Sequence, residues 1–191
     1  MRIFLILFSA LLVNNYVFIR FLGICPFLGV SKKMDTAVGM GFAATFVLVM
    51  SSVITWIINK LLIALQLQFL QTVTFILVIA TFVQFVEFFL KKNSPSLYEA
   101  LGIYLPLITT NCIILGVAIL NAQTNYTLLE SVFHALGAGL GFLLALVIFA
   151  GIRERLDLYD LPKSFEGLPI ALILASIISM AFMGFQGLIK M

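Results

Sequence analysis

The sequence predicts an all-α integral membrane protein with six transmembrane segments. Of the 191 residues, 63% are hydrophobic and only 10% are charged, whereas a soluble domain carries roughly 25% charged residues. The apolar residues form six runs of about 20 residues, the length that a helix needs to cross the hydrocarbon core. Basic residues lie scattered between these runs, so the net charge of +3 does not indicate nucleic-acid binding.

The six segments follow one another with short connections. No stretch between them is long enough to fold as a soluble domain, so the chain is predicted to be a single membrane domain, 1–191. In chain order we place the segments at Ile3–Ile24, Thr36–Ile58, Phe69–Leu90, Leu97–Leu120, Leu128–Ile152 and Leu168–Ile189.

The basic residues are distributed unequally between the two sides of the membrane. The loops one–two, three–four and five–six hold eight of them, and the opposite side holds three. Because cytoplasmic loops are enriched in Lys and Arg, both termini are predicted to lie outside. The eight are Arg20, Lys32, Lys33, Lys91, Lys92, Arg153, Arg155 and Lys163, and the three are Arg2, Lys60 and Lys190. The alternative for Arg20 is a position within the broken segment one rather than in a loop.

A short repeat surrounds the two cysteines. Residues 25–30 and 112–117 share the pattern Cys-x-x-Leu-Gly-Val, and the offset of 87 residues between them maps segments one to three onto segments four to six. Three spans in each half is an odd number, so the second half enters from the opposite face. This arrangement predicts two inverted repeats, at about 1–92 and 93–191.

The cysteine-bearing segments, one and four, are also the interrupted ones. Segment one contains Asn14, Asn15 and Gly23 and runs on into Cys25 and Pro26, and segment four contains Gly102, Pro106 and a polar run at 109–111. Broken backbone at membrane depth is tolerated only where protein or a cavity surrounds it. Interrupted segments at matching positions of two repeats therefore predict the functional site.

Several roles for Cys25 and Cys112 are compatible with the residues alone. Both could be buried apolar side chains, or they could form a disulfide near the axis between the halves. Soft thiolates also bind iron–sulfur clusters, zinc or copper. A cluster needs four ligands, so two thiolates from another chain would have to complete it.

Four motifs resemble the signatures of one family, that of the A-type membrane protein of the Rnf-type ion-translocating ferredoxin:NAD oxidoreductase. The E-type membrane protein of the sodium-translocating NADH:quinone oxidoreductase is its close relative. The resemblance spans the whole chain. The motifs are Val13-Asn14-Asn15-Tyr16-Val17, Gly23-Ile24-Cys25-Pro26-Phe27-Leu28-Gly29-Val30-Ser31, Pro106-Leu107-Ile108-Thr109-Thr110-Asn111-Cys112 and Gly151-Ile152-Arg153-Glu154-Arg155-Leu156.

The resemblance implies a function, a cofactor and partners. It implies a multi-pass subunit of the bacterial cytoplasmic membrane, in a complex that passes electrons from ferredoxin to NAD and exports sodium ions or protons. It implies that Cys25 and Cys112 ligate the iron of a 2Fe–2S cluster, shared with a homologous E-type subunit. Further B-, C-, D- and G-type subunits are implied as partners. The resemblance also implies that this chain has no catalytic activity on its own and binds neither NAD nor flavin.

The remaining polar residues are assigned mainly structural roles. We expect Glu87 to reach the interface near Lys91 and His134 to lie at the outer interface. Gly137, Gly139 and Gly141 are predicted to allow close helix packing. Residues 153–155 are predicted to form a cytoplasmic charged patch. The asparagines and threonines of residues 14–15 and 109–111 are predicted to satisfy freed backbone groups.

Two classes of protein fit this architecture. The first is an electron-transfer subunit of an ion-translocating oxidoreductase, and the second is a small inverted-repeat secondary transporter. A transporter has no need of paired thiols, and the segments contain no pair of acidic residues at mid-membrane to bind a cation. The first class is therefore favoured.

Overall fold

The computed structural model describes residues 2–31, 34–93, 105–156, 158–159, 162, 165 and 167–184. Within these ranges the chain forms helices and turns and no strand. The helices are α1 (Arg2–Phe8), continued by a π-helical stretch (Ser9–Val13), α2 (Ile24–Val30), α3 (Met34–Ala64), α4 (Gln71–Asn93), α5 (Leu105–Thr109), α6 (Cys112–Gln123), α7 (Leu128–Leu156) and α8 (Leu168–Met183).

Four of the six predicted segments have helices long and apolar enough to cross a membrane. These stretches are Met34–Ala64, Gln68–Phe88, Pro106–Gln123 and Leu128–Leu156. Shorter apolar helices lie at the predicted positions of segments one and six, at Ile3–Val13 and Leu168–Met183. The predicted start of segment four, Leu97, and the predicted end of segment six, Ile189, lie outside the described residues.

Helix α7 is the centre of the bundle, and α3 packs along it in the antiparallel direction. A Cβ added at Gly139 would stand 2.7 Å from Thr45 Cγ2, and one added at Gly41 would stand 2.7 Å from Leu143 Cδ1. The two helices therefore approach more closely than larger side chains permit. With 29 residues, α7 is about 43 Å long, which exceeds the roughly 30 Å of the hydrocarbon core.

The opposite face of α7 receives the first helix. An added Cβ at Gly137 would lie 2.7 Å from the Leu7 carbonyl oxygen, and one at Gly141 would lie 3.1 Å from that of Leu11. Backbone rather than side chain faces these two glycines, so neither neighbour can rotate away. The predicted packing role of Gly137, Gly139 and Gly141 is confirmed.

One end of the bundle, which we call the arginine end, is held by the last turn of α7. Arg153 Nη1 donates to the Leu28 carbonyl at 3.0 Å and to Ser31 Oγ at 3.1 Å, which caps α2. Glu154 Oε1 accepts the Met34 N–H at 2.8 Å and caps α3. Such caps satisfy backbone groups that helix ends leave unpaired. The predicted charged patch is therefore wrong for Arg153, which is buried, while Glu154 and Arg155 are exposed.

The other end, which we call the tryptophan end, contains the turn between α6 and α7. Trp56 Nε1 donates to the Tyr126 carbonyl at 2.9 Å, so the last third of α3 lies beside that turn. Arg20 belongs to this end, because it lines a cavity together with Tyr126. Its assignment to loop one–two is wrong: residues 14–23 turn back toward the tryptophan end before α2 begins. Without Arg20, the basic loops hold seven residues.

We predict that Gly137→Ala destabilises the protein, because the added methyl group would lie 2.7 Å from a backbone oxygen. Overpacking of this kind costs about 1–3 kcal/mol, measurable as a lower thermal midpoint of the detergent-purified protein. Gly39→Ala is the matched control, since nothing lies within 4 Å of its Cβ position. Equal midpoints for the two variants would contradict the close packing of α1 on α7.

Candidate functional site

The first broken segment is held in place by the side chain of Asn15. Its Nδ2 donates to the Gly141 carbonyl at 3.0 Å and to the Leu11 carbonyl at 3.3 Å, and its Oδ1 accepts the Val17 N–H at 3.0 Å. Asn15 is fully buried. One amide thus supplies the hydrogen bonds that the interrupted helix cannot make for itself, as the sequence predicted.

The segment reaches Cys25 through a left-handed backbone. Phe21 has φ of 54° and Gly23 has φ of 82°, a conformation that glycine adopts without strain. A Cβ at Gly23 would stand 3.0 Å from Phe142 Cε2. Because Phe142 is at the middle of α7, the residues just before Cys25 lie near half the depth of the bundle.

The second broken segment also turns at an asparagine. Helix α5 ends at Thr109 and α6 begins at Cys112. Asn111 is the N-cap of α6, and its Oδ1 accepts the Ile113 N–H at 3.2 Å. Thr110 Oγ1 donates to the Pro106 carbonyl at 3.0 Å. The Asn111 contact satisfies a backbone group that the start of α6 leaves unpaired, which confirms its predicted role, whereas the Pro106 carbonyl also accepts the Thr110 N–H at 3.2 Å and is not a freed group.

The two broken segments meet at the sulfur of Cys112. The Gly23 N–H donates to Cys112 Sγ at 2.9 Å, and Gly23 precedes Cys25 by two residues. Both cysteines are free thiols, Cys25 exposed and Cys112 partly buried. The structure therefore contains no disulfide between them, and the exposure of Cys25 argues against a role as a core side chain.

The glycines of the two cysteine motifs make reciprocal contacts. A Cβ at Gly116 would lie 2.7 Å from Leu22 Cδ1, and one at Gly29 would lie 3.8 Å from Leu107 Cδ1. Each motif glycine thus faces a leucine that precedes the cysteine of the other half. The helices that contain the two cysteine motifs differ in length, since α2 has seven residues and α6 has 12.

The donor set at this site consists of sulfur. Among the described residues, no group of three or more His, Cys, Asp or Glu side chains could hold a metal ion. Two thiols alone cannot complete a four-ligand iron–sulfur site. Because Cys25 faces outward, any further ligands would have to approach from outside this chain.

One backbone group beside the thiols suits a sulfur-ligated cluster. The Gly23 N–H already points at Cys112 Sγ, and N–H donors to sulfur are one means by which proteins set cluster potentials. Thiolates are the ligands that such clusters select, so the two cysteines present fit two of the four ligands. Asn111 Nδ2, on the residue before Cys112, is buried and has no hydrogen-bond partner among the described residues.

Sequence reasoning missed a buried chain of three polar side chains near the tryptophan end. Tyr16 Oη lies 2.7 Å from His134 Nε2, and Asn121 Oδ1 lies 2.6 Å from His134 Nδ1. His134 is buried inside the protein, and its predicted level near the outer interface stays a prediction. These three residues are far apart in sequence, so only their polar type could have indicated that their side chains form this hydrogen-bonded group.

Glu87 is partly buried in α4, and its predicted approach to Lys91 stays a prediction because the Lys91 side chain lies outside the described residues.

Taken together, the fold and the site define a polytopic membrane protein in which two interrupted segments, each carrying one cysteine, meet where the Gly23 N–H contacts Cys112 Sγ. Comparison with known proteins names its family. Residues 3–189 match the model described as Rnf-Nqr subunit, membrane protein, and the chain belongs to this family.

Curated relatives are similar over almost the whole chain. The A-type subunit of the Na(+)-translocating ferredoxin:NAD(+) oxidoreductase complex of Acetobacterium woodii is 57% identical over 98% of both chains. The A-type subunit of the ion-translocating oxidoreductase complex of Syntrophotalea carbinolica is 56% identical over 98% of both. That of Photorhabdus laumondii is 54% identical over 98% of this chain and 97% of its own.

We predict that the two thiols react at different rates with a maleimide when this chain is expressed alone. Cys25 is exposed, whereas Cys112 is partly buried and accepts a backbone N–H. Steric access controls thiol modification, so in detergent a small membrane-permeant maleimide should react faster with Cys25. The measurement uses the single-thiol variants Cys112→Ser and Cys25→Ser, with the double variant as a blank. A faster reaction of Cys112 would contradict this site geometry.

Proposed function

We propose that this protein is the A-type membrane subunit of an ion-translocating ferredoxin:NAD oxidoreductase complex. The observation that carries the proposal is the contact between the two interrupted segments at Cys112 Sγ, in a chain similar over its full length to subunits of that name. In this role the chain is one part of an oxidoreductase and is not catalytic alone. The complex couples electron transfer to export of sodium ions or protons.

The proposal assigns Cys25 and Cys112 as two of the four thiolate ligands of a 2Fe–2S cluster. When bound, such a cluster accepts and donates single electrons. The chain's own residues orient the ligands: Gly23 directs its N–H at Cys112 Sγ, and Asn111 caps the helix that begins at Cys112. Phe142, packed against Gly23, excludes water from the inner side of the site.

The other two thiolates come from a homologous membrane subunit of E type. The exposure of Cys25 supports this assignment, because a cluster ligand must be covered by a partner if the site is to lie within the membrane. Four exposed residues lie near Cys25, either close to it in sequence or in the other broken segment, and none of them carries a carboxylate. They are Phe21, Gly29, Pro106 and Thr110. The B-, C-, D- and G-type subunits complete the assembly.

An inverted repeat accounts for the arrangement of the two halves. With the offset of 87 residues, α3 maps onto α7, and these two helices form the antiparallel centre of the bundle. Each motif glycine also lies beside the other half, Gly29 near Leu107 and Gly116 near Leu22, although these two leucines are not equivalent under the same offset. Six spans in two inverted halves are therefore part of the proposal.

We predict that Cys25→Ser and Cys112→Ser each abolish ferredoxin-driven NAD reduction by the purified complex. Loss of one ligand should remove about two irons per complex together with a paramagnetic resonance signal of the partly reduced membrane fraction. The soluble NAD- and flavin-binding subunits should keep their activity with artificial acceptors. Thr110→Ser, an exposed neighbour of Cys112, is the matched control. Full coupled turnover with both cysteines replaced would overturn the assignment.

We predict that the arginine end lies in the cytoplasm of a bacterial cell and that both termini lie outside. Seven basic residues remain on the predicted cytoplasmic side after Arg20 is reassigned, and the bias still orients the protein. Reporter fusions after Lys163 and after Met191 check this: the first should report the cytoplasm and the second the outside. The reverse pattern would invert the orientation of the whole chain.

A further inference from the structure

A polar cavity of about 160 Å³ opens near the tryptophan end, away from the two thiols. It lies between the first helix, the turning segment 14–23 and the connection from α6 to α7. Its lining residues are Ile6, Ser9, Ala10, Asn14, Tyr16, Arg20, Leu120, Thr124, Tyr126 and His134. Several of these polar side chains, Ser9, Tyr16 and His134, are buried, so the cavity is built into the fold.

The charges of the side chains that line the cavity determine whether it attracts an anion or a cation. Among the described residues that line the cavity, Arg20 is the one with a permanent charge, and none carries a carboxylate. Its guanidinium carbon lies 5.6 Å from the centre of the Tyr16 ring, a cation–π contact that positions the group. A cation in this cavity would be repelled by Arg20, whereas an anion would be attracted.

The neutral lining groups are mostly satisfied within the protein. The tautomer of His134 that fits both contacts carries its proton on Nδ1, donates to Asn121 and accepts from Tyr16. Asn14 Nδ2 donates to Ser9 Oγ at 3.1 Å, and Thr124 Oγ1 donates to the Leu120 carbonyl at 2.7 Å. Arg20, with five N–H donors, is therefore the principal group available to a ligand, and such a fork matches phosphate oxygens.

The depth of the cavity matches the headgroup region of the membrane. His134 is the seventh residue of α7, about 9 Å from the start of that helix. Since α7 exceeds the hydrocarbon core by about 13 Å in total, this level falls close to the boundary between acyl chains and headgroups. Trp56 and Tyr126, joined by a hydrogen bond at this end, are of the types enriched at that boundary.

The apolar part of the lining lies beside the polar groups. Ile6, Ala10 and Leu120 line the same cavity as Arg20. A ligand with an anionic phosphate and an acyl chain would place its phosphate at Arg20 and the start of its chain against these aliphatic side chains. We propose that this cavity binds the phosphate of an anionic phospholipid through Arg20. The proposal is independent of the cluster assigned to Cys25 and Cys112.

The test measures the thermal midpoint of the delipidated, detergent-purified complex after addition of three probes. Phosphatidylglycerol should raise the midpoint of the wild type by roughly 2–4 °C, whereas phosphatidylcholine and inorganic phosphate should have no effect. Arg20→Gln should lose the response and Arg20→Lys should keep part of it. Bound lipid phosphorus should fall by about one per complex in Arg20→Gln, as one ligand per cavity requires.

Lys60→Gln is the matched control. Lys60 is also exposed at the tryptophan end and lies over an aromatic ring, 5.5 Å from the centre of Trp56, but it does not line the cavity. This variant should respond to phosphatidylglycerol like the wild type. An undiminished response of Arg20→Gln would overturn the proposal, and so would an equal response to inorganic phosphate, which would indicate a soluble anion instead. If Arg20→Gln does not assemble, Arg20→Lys is decisive. A midpoint of Arg20→Lys that phosphatidylglycerol raises no more than phosphatidylcholine does would also overturn the proposal.

Discussion

The hydrogen bonds of Asn15 are the constraint on which the rest of the structure depends. Lipid offers no partners to backbone groups, so a helix that stops inside the membrane must be satisfied by protein. Asn15 bonds to the Gly141 carbonyl on α7 and to Val17 and Leu11 on either side of the break. This fixes the depth at which the chain turns, and that depth in turn decides where Gly23 and Cys25 lie.

Close helix packing makes this arrangement possible. The carbonyl of Gly141 is within reach of Asn15 only because Gly137 and Gly141 allow the backbone of the first helix to approach α7. On its other face, α7 contacts α3 through Gly139, so the central helix is fixed from both sides. The position of Phe142 against Gly23 follows from the same packing. A rigid α7 thereby orients both the broken backbone and the thiols that depend on it.

The sequence predicted the features that depend on composition and local chemistry. Apolar length indicated the helices, and Gly, Pro and Asn indicated the breaks at 14–23 and 110–111, because these residue types act on the backbone next to them. The positions of single side chains in the three-dimensional fold were harder to predict from the sequence. Arg20 follows an apolar run and was assigned to a loop, since nothing in the sequence signals that the chain reverses direction before α2. The burial of Arg153 and His134 depends on partners 13 to 125 residues away, which no local pattern indicates.

The different exposure of the two thiols connects the fold with its assembly. Cys112 begins a helix capped by Asn111 and accepts the Gly23 N–H, so this chain alone determines its position. Cys25 follows the left-handed turn at Gly23 and faces outward. A thiol exposed at half the depth of a membrane bundle contacts either lipid or another protein. The same turn that brings Gly23 to Cys112 leaves Cys25 on the surface of the bundle, where the proposed partner subunit would contact it, so one backbone conformation sets the contact within the chain and the position of the second thiol.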